Sequence, residues 1–128
     1  MIDLDHFKRV NDTYGHDVGD RVLVELTKRL AGEMREPDFL ARWGGEEFVA
    51  LLPETGPSEA ARVAERLRRR IEVEPFPDVG PLTISLGLTN FRSGDTSNTL
   101  LTRVDAALYE AKRTGRNRVV VSGEDPGA

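Results

Sequence analysis

The sequence predicts an α+β domain in which helices flank a central, mainly antiparallel sheet. Two observations carry this prediction: stretches with helical apolar spacing alternate with short strand-like runs, and they follow one another in the order β-α-α-β-β-α-β-α-β. The chain has 128 residues, which is enough for one domain with a single core. We therefore assign residues 1–122 to one domain and expect residues 123–128 to form a disordered tail.

The predicted order begins with one strand and two helices. Residues 1–4 read as the end of a buried strand, and a short helix after them can close at Gly15. A longer helix follows, because an apolar residue recurs at every fourth position until Pro37 prevents further growth. The apolar stripe of this second helix comprises Val18, Val22, Leu26, Leu30 and Met34.

A hairpin comes next, and its turn is the most informative place in the chain. Gly44 and Gly45 stand between two short apolar runs, and such a pair predicts a tight turn with positive φ. Glu46 and Glu47 follow the glycines directly. Two carboxylates at this position pack poorly against apolar neighbours but suit the binding of a cation, so they are candidate functional residues.

The second half of the order supplies two more helices and two more strands. We expect Ser58 to cap the third helix, and residues 82–89, which alternate between apolar and small residues, to form a strand. A last helix ends at Gly115, and residues 118–121 form the final strand. The whole order contains the split β-α-β-β-α-β arrangement of ferredoxin-like folds.

The composition excludes several classes of function. The chain contains no cysteine, so it has no disulfide, thiolate metal site or cysteine nucleophile, and a reducing cytoplasm suits it. No apolar run approaches the ~20 residues of a membrane helix, and we expect no membrane contact. The net charge is −4 without a block of like charge, so the chain lacks the basic surface of a nucleic-acid-binding protein. An anionic ligand must therefore be met by local cations or by a metal.

A second acidic pair, Asp3 and Asp5, follows the first predicted strand. Residues two apart on a strand share a face, so the pair could bind a hard cation; alternatively, Asp5 only caps the helix after it. Glu46 and Glu47 are expected on opposite faces of their strand, so at most one of them converges with Asp3. Oxygen ligands from separate strands, completed by backbone carbonyl and water, favour Mg²⁺.

Three basic residues are candidates for binding phosphate. Lys112 and Arg116 lie four apart at the end of the last predicted helix, where they either complement its dipole or clamp phosphates. Lys8 lies where the first strand gives way to a helix, whose free backbone N–H groups also attract phosphate. Together with the acidic pairs, these cations describe a metal–nucleotide site.

Several linked motifs resemble the GGDEF family of bacterial diguanylate cyclases, in the same order and over residues 1 to about 122. This agreement is far more specific than a lone glycine motif. The motifs are Leu-Asp-His-Phe-Lys at 4–8, Asn-Asp-Thr-Tyr-Gly-His at 11–16, Gly-Asp at 19–20, Arg-Trp-Gly-Gly-Glu-Glu-Phe at 42–48, Ser-Leu-Gly at 85–87, Asp-Ala-Ala-Leu-Tyr-Glu-Ala-Lys at 105–112 and Gly-Arg-Asn at 115–117.

The resemblance implies a nucleotidyl cyclase palm-type fold and the condensation of two GTP molecules into cyclic di-GMP with release of pyrophosphate. It implies a homodimer, because each domain holds one GTP. It assigns Asp3, Glu46 and Glu47 to catalysis, and Asp3, Glu46 and the carbonyl of Leu4 to binding of Mg²⁺ or Mn²⁺. The substrate-binding residues would be Asn11 and Asp20 for guanine, Phe7, Lys8, Lys112 and Arg116 for the triphosphate, and Gly44 and Gly45 beside the nucleotide.

A further pair of residues resembles the inhibitory product site of the family. Arg35 and Asp38 form an Arg-x-x-Asp motif shortly before the glycine pair, and Arg66 on the following helix could add a second cation. The resemblance implies that cyclic di-GMP binds there as an inhibitor. The alternative is a surface ion pair worth under ~1 kcal/mol.

The resemblance also includes one departure, since family members begin earlier, with a helix and a segment that leads into the first strand. We therefore expect an N-terminally truncated domain whose uncovered apolar sheet surface promotes self-association or low stability. The alternatives to an active cyclase are a non-catalytic module that binds cyclic di-GMP through Arg35 and Asp38, or a domain that only binds GTP. The presence of Asp3, Glu46 and Glu47 favours the cyclase.

Overall fold

The computed structural model describes residues 1–122, and within that range the elements follow the predicted order. The expected tail at 123–128 lies outside the described residues. The strands are β1 (Ile2–Leu4), β2 (Phe39–Gly44), β3 (Glu47–Leu51), β4 (Ile84–Leu88) and β5 (Val119–Val121). The helices are α1 (Phe7–Tyr14), α2 (His16–Gly32), α3 (Pro57–Glu72) and α4 (Ser97–Arg113).

The five strands form one sheet in the spatial order β2-β3-β1-β4-β5. The pairs β1–β3, β1–β4 and β2–β3 are antiparallel, and β4–β5 is parallel. This confirms the predicted α+β class with a mainly antiparallel sheet. Because β1 is hydrogen-bonded on both sides, residues 1–4 do lie in the sheet interior as expected.

The two faces of the sheet are covered by different helices. Ile2 pairs with Phe48 on one side and with Leu86 on the other, and all three side chains pack into the main core with α2 and α3. The side chain of Phe48 is only 1% exposed, so its burial contributes about 1.5–3 kcal/mol to folding. Residues of odd number on β1 point to the opposite face, which α4 covers.

The close approach of α4 to β4 depends on Gly87. A Cβ built on this residue would lie 2.4 Å from the backbone nitrogen of Leu108, so no side chain fits between strand and helix. As a result, residues 84–87 are buried on both faces of the sheet. The alternating pattern of this strand therefore reflects two packed faces, not one core face and one solvent face.

Several element ends differ from the sequence-based expectation. The third helix begins at Pro57 with Gly56 as its N-cap, so Ser58 lies inside the helix and caps nothing, because proline is favoured in the first helical turn. The second helix ends at Gly32, before Met34. Within residues 1–122, no helix has the length and apolar character needed to cross a membrane.

Candidate functional site

The candidate site is built around Asp3, which β1 directs to the face that α4 covers. In the register of the sheet, Asp3 lies directly between Glu47 of β3 and Ser85 of β4. Its carboxylate is buried and accepts a hydrogen bond from the ammonium of Lys112, with Nζ 2.5 Å from Oδ2. The end of α4 therefore brings a cation onto this carboxylate, a use of Lys112 that neither helix-dipole compensation nor a simple phosphate clamp describes.

Burial and neighbouring acidic groups shape the charge of this site. Burial raises the pKa of Asp3 to about 6; the hydrogen bond from Lys112 opposes the rise, and the charges of Glu46 and Glu47 add to it. Three carboxylates therefore repel one another in this region, and a cation placed among them relieves the repulsion. Lys112 supplies part of that compensation.

The carboxylates around Asp3 fit a divalent metal only in part. Among residues 1–122, no three carboxylate or imidazole side chains are gathered closely enough to hold an ion by themselves. Asp3 and the nearby Glu46 nevertheless supply oxygen donors with net negative charge, which suit Mg²⁺ when backbone carbonyl, water and substrate phosphates complete the ligand set. The residues present thus fit a metal that arrives with a nucleotide better than a cage made of protein alone.

The hairpin turn places its two glutamates differently from the sequence-based expectation. Glu46 lies in the turn before β3 begins at Glu47, so the two do not point to opposite faces of one strand. Gly45 has a φ of +48°, which confirms the predicted positive-φ turn, and the backbone carbonyl of Glu46 accepts a hydrogen bond of 3.3 Å from Leu4. Both glutamates therefore lie close to Asp3: Glu47 as its cross-strand partner, and Glu46 from the turn.

Asp5 takes neither of the two roles that the sequence suggested. The N-cap of α1 is His6, which has a φ of +60°, and no side chain within residues 1–122 caps this helix. The carboxylate of Asp5 is buried and accepts hydrogen bonds from Thr83, Ser85 and the backbone nitrogen of Asn117. Since its oxygens are occupied in this way, Asp5 is not the second member of a cation-binding pair with Asp3.

The predicted guanine-binding residues lie on either side of the turn between α1 and α2. Gly15, with a φ of +89°, separates the helices, and α2 then runs back past α1. A Cβ built on Gly19 would lie 1.9 Å from Oδ1 of Asn11 and 3.3 Å from the ring of Phe7, so a side chain there would displace the amide of Asn11. The structure therefore brings Phe7 and Asn11 against the backbone that leads directly into Asp20.

The remaining phosphate-binding candidates, Lys8 and Arg116, have different partners. Lys8 is exposed and forms an ion pair with Asp12 at 2.8 Å. Arg116 lies beyond the end of α4, in the turn that follows it, as the predicted helix end at Gly115 implies. The contact of its guanidinium with the carbonyl of Lys112 is long, at 3.5 Å.

Arg35 and Asp38 form the predicted pair just before β2. The Arg35 guanidinium lies 3.1 Å from the carboxylate of Asp38, whose side chain is only 2% exposed, and this contact lowers the pKa of Asp38. Arg35 also donates to the carbonyl of Pro53 and to Thr55. The positive charge of Arg66, held at 3.0 Å by Glu33, further lowers the pKa of Asp38. These three residues are therefore neighbours.

Sequence reasoning missed Asn117, which connects the site to α3. Its side chain contacts Arg68 and Glu72, and its backbone nitrogen donates to Asp5. The Gly-Arg-Asn motif at 115–117 indicated a functional segment, but it led to a predicted role for Arg116 alone. A groove of about 490 Å³ with an apolar lining that includes Leu51 lies at the opposite end of the sheet, away from these residues.

Comparison with known proteins gives a consistent result across the chain. A family model described as "Diguanylate cyclase, GGDEF domain" matches residues 1–118. The chain is 45% identical over 126 residues to the response regulator PleD of Caulobacter vibrioides, covering 94% of this chain and 28% of PleD. It is 46% identical over 125 residues to the diguanylate cyclase DgcP of Pseudomonas aeruginosa, covering 95% and 19%. The chain thus spans less than a third of the length of these relatives.

Solved structures agree with the sequence comparisons. The GGDEF domain of DgcB from Caulobacter crescentus, in complex with c-di-GMP, superposes with a TM-score of 0.90 at 35% identity, covering 94% of this chain and 74% of that one. The active GGEEF domain of a diguanylate cyclase from Vibrio cholerae superposes with a TM-score of 0.88 at 37% identity, covering 97% and 81%.

Proposed function

The chain belongs to the GGDEF family of diguanylate cyclase domains, and we propose that it is a catalytic member that condenses two GTP molecules into cyclic di-GMP. The observation that carries the proposal is the acidic hairpin turn: Glu46 and Glu47 lie beside the buried Asp3, and Lys112 approaches the same carboxylate. Such a combination of anionic and cationic groups suits phosphoryl transfer, which needs positioning and charge neutralisation more than covalent catalysis.

The proposed reaction forms two bonds and breaks two. The 3′-oxygen of each GTP attacks the α-phosphorus of the other, the bond from that phosphorus to the bridging oxygen breaks, and pyrophosphate leaves. The two hydroxyl protons pass to solvent. Asp3, the carbonyl of Leu4 and Glu46 would hold Mg²⁺ or Mn²⁺, which when bound neutralises phosphate charge and acidifies the attacking hydroxyl.

In this proposal the basic residues bind the triphosphate of GTP. Lys112 and Arg116 would hold the triphosphate, with Lys8 and the backbone near Phe7 on its other side. Lys112 contacts Asp3 in the structure, and Lys8 contacts Asp12. Both ammonium groups therefore exchange a carboxylate for phosphate oxygens as the nucleotide binds. Their positive charge then stabilises the negative charge that develops on the departing pyrophosphate.

Two copies of the chain must meet for this chemistry. One domain offers one acidic turn and one guanine-binding region, whereas the product requires two nucleotides that attack each other. We therefore propose a homodimer with the two sites facing each other. We also propose a cytoplasmic location, because GTP is supplied there.

A test of the proposed function is to incubate the chain with GTP and Mg²⁺ and to analyse the nucleotides by chromatography. We expect cyclic di-GMP as the product, with a rate per chain that rises with protein concentration while dimers are scarce. Folded protein that binds GTP but forms no cyclic di-GMP over a wide concentration range would contradict the cyclase and support a GTP-binding domain.

A second candidate function is a non-catalytic module that binds cyclic di-GMP. It is favoured by the Arg35–Asp38 geometry and by solved relatives in complex with that dinucleotide, including the two DgcB structures. In the enzyme, the same residues would form an inhibitory product site to which Arg66 adds positive charge.

Replacing Arg35 by alanine should weaken cyclic di-GMP binding by about 10- to 100-fold, since a fork-shaped guanidinium contact to phosphate or guanine is lost. Calorimetry measures the affinity, and the initial rate of product formation should stay unchanged while inhibition by product disappears. Arg62→Ala is the matched control, because Arg62 is an exposed arginine on α3. Equal binding by Arg35→Ala and the parent would remove this role and leave only an ion pair.

A further inference from the structure

Asp5 is a buried carboxylate that the proposed mechanism does not use. Its two oxygens accept hydrogen bonds from Thr83 Oγ1 at 2.7 Å, Ser85 Oγ at 2.6 Å and the backbone nitrogen of Asn117 at 3.0 Å. The first two contacts anchor Asp5 to β4 and to Thr83, the residue that directly precedes this strand. The third reaches 112 residues along the chain to the turn after α4. Asp5 thus joins the end of β1 to the segment that carries Arg116.

The turn that Asp5 contacts has an uncommon backbone conformation. Arg116 has a φ of +60° and Asn117 a φ of +46°, so two consecutive residues other than glycine lie in the left-handed region. Asparagine tolerates this region, but arginine rarely adopts it. Such a conformation persists only where the surroundings enforce it.

Four hydrogen bonds enforce it here. The backbone nitrogen of Arg116 donates to the carbonyl of Ala111. This is the 6→1 hydrogen bond by which a Schellman motif ends a helix, here α4. The side chain of Asn117 accepts from Arg68 at 2.9 Å and donates to Glu72, both on α3. The carboxylate of Asp5 holds the backbone nitrogen of Asn117 from within the domain. The turn is thereby fixed to α4, α3 and β1.

This arrangement leaves the side chain of Arg116 available for a ligand. The residue is exposed, and the only hydrogen bond of its side chain among the described residues, to the carbonyl of Lys112, is long at 3.5 Å. Its backbone, in contrast, is fixed on both sides of the Cα atom. A guanidinium on a fixed backbone loses less conformational freedom when it binds phosphate than one on a mobile turn, and this preorganisation strengthens binding.

We propose that Asp5 is a positioning residue that sets the place of Arg116 over the triphosphate of GTP by holding the backbone of Asn117. The proposal rests on the proposed function, in which Arg116 binds that triphosphate. A carboxylate suits the task because a charge-assisted hydrogen bond is shorter and stronger than a neutral one. Asp5 does not touch the nucleotide in this account; it acts through the turn.

The test is a double-mutant cycle on GTP kinetics with Asp5→Asn and Arg116→Ala. Asp5→Asn should raise the KM for GTP about 10-fold, the lower end of the effects seen when groups behind a binding residue are altered, with kcat reduced less. In the Arg116→Ala background, Asp5→Asn should change KM by less than about 2-fold, because the residue it positions is gone. A full additional 10-fold loss in that background would overturn the proposal.

Two further variants separate positioning from general stability. Asn117→Ala releases the same turn from α3, and because Asn117 lies near the surface, this variant carries the test if Asp5→Asn fails to fold. It should also raise the KM for GTP, but not in the Arg116→Ala background. Arg29→Lys perturbs a different buried polar group, one that donates to the carbonyls of Glu74 and Pro75, and should leave KM unchanged. An unchanged KM in Asn117→Ala, or an equal rise in Arg29→Lys, would contradict the proposal.

A readout without turnover distinguishes failure of this proposal from failure of the proposed function. Hydrogen exchange of the Asn117 amide, followed by NMR without nucleotide, should be at least about 10-fold faster in Asp5→Asn than in the parent, because a protecting hydrogen bond is weakened. Unchanged exchange overturns the positioning role even in an active cyclase. Faster exchange in a protein that makes no cyclic di-GMP overturns the enzymatic role, and with it the assignment of Arg116 to substrate.

Discussion

Replacing Glu46 by glutamine or Asp3 by asparagine should reduce formation of cyclic di-GMP by at least about 100-fold, the scale of loss when one charge-stabilising group is removed from a reaction centre. Both changes keep the size of the side chain but replace a carboxylate that would hold the metal ion with a neutral amide, a much weaker metal ligand. Initial rates with GTP and Mg²⁺ measure the effect. Melting temperature and circular dichroism verify that the fold is retained.

Asp78→Asn is the matched control for these two variants. It makes the same chemical change at a surface position whose ion pair with Arg21 is exposed and 3.5 Å long. Asp78 has a φ of +71°, which asparagine also tolerates, so the control should be as active and as stable as the parent. Turnover within threefold of the parent in either Glu46→Gln or Asp3→Asn would refute the metal-binding assignment.

Guanine recognition gives the second large effect. If Asn11 and Asp20 hydrogen-bond to the base, the parent should bind GTP at least about 100-fold more tightly than ATP, because the wrong base leaves polar groups of the site unpaired. Asp20→Asn should remove most of this preference, since an amide cannot accept the two N–H donors of guanine as a carboxylate does. Competition between the two nucleotides for the protein measures the ratio.

Asp17→Asn is the control for the guanine experiment. Asp17 is exposed in the first turn of α2 and is not assigned to the base, so the same chemical change is made on the same helix at a residue without a predicted role. Its preference for GTP should match that of the parent. Equal affinity of the parent for ATP and GTP would remove the recognition role of Asn11 and Asp20.

The order of elements could be predicted from sequence because each element has a local cause. An apolar residue at every fourth position identifies α2, and a glycine pair identifies the hairpin, whose turn has Gly45 at positive φ. Element ends were less predictable, since competing local preferences decide them. Both Ser58 and Pro57 favour a helix start, and the structure begins the helix at proline with Gly56 as its cap.

The positions of the acidic residues required tertiary information. The period of a strand predicts which residues share a face, but the turn of the hairpin shifts the register between Arg42 and Gly44, and this places Glu47 opposite Asp3 with Glu46 in the turn. No local pattern contains that shift. It depends on how β3 pairs with both of its neighbours at once.

Asp5 shows the same limit more clearly. Its sequence context, just before a helix, is typical of a cap, and its spacing from Asp3 is typical of a shared cation. Its actual partners, Thr83, Ser85 and Asn117, lie 78 to 112 residues away. Contacts of such separation follow only from the fold, so the interpretation of this carboxylate had to come from the structure.

The most direct measurement of the central claim is the ratio of the two products formed from GTP and Mg²⁺ in one reaction. Condensation of two GTP molecules predicts two pyrophosphates for each cyclic di-GMP throughout the time course, and at least about 100-fold slower formation of both products by Glu46→Gln under the same conditions. Pyrophosphate or phosphate release without cyclic di-GMP, or equal product from Glu46→Gln, would contradict the assignment of this chain as a diguanylate cyclase that works through its acidic hairpin turn.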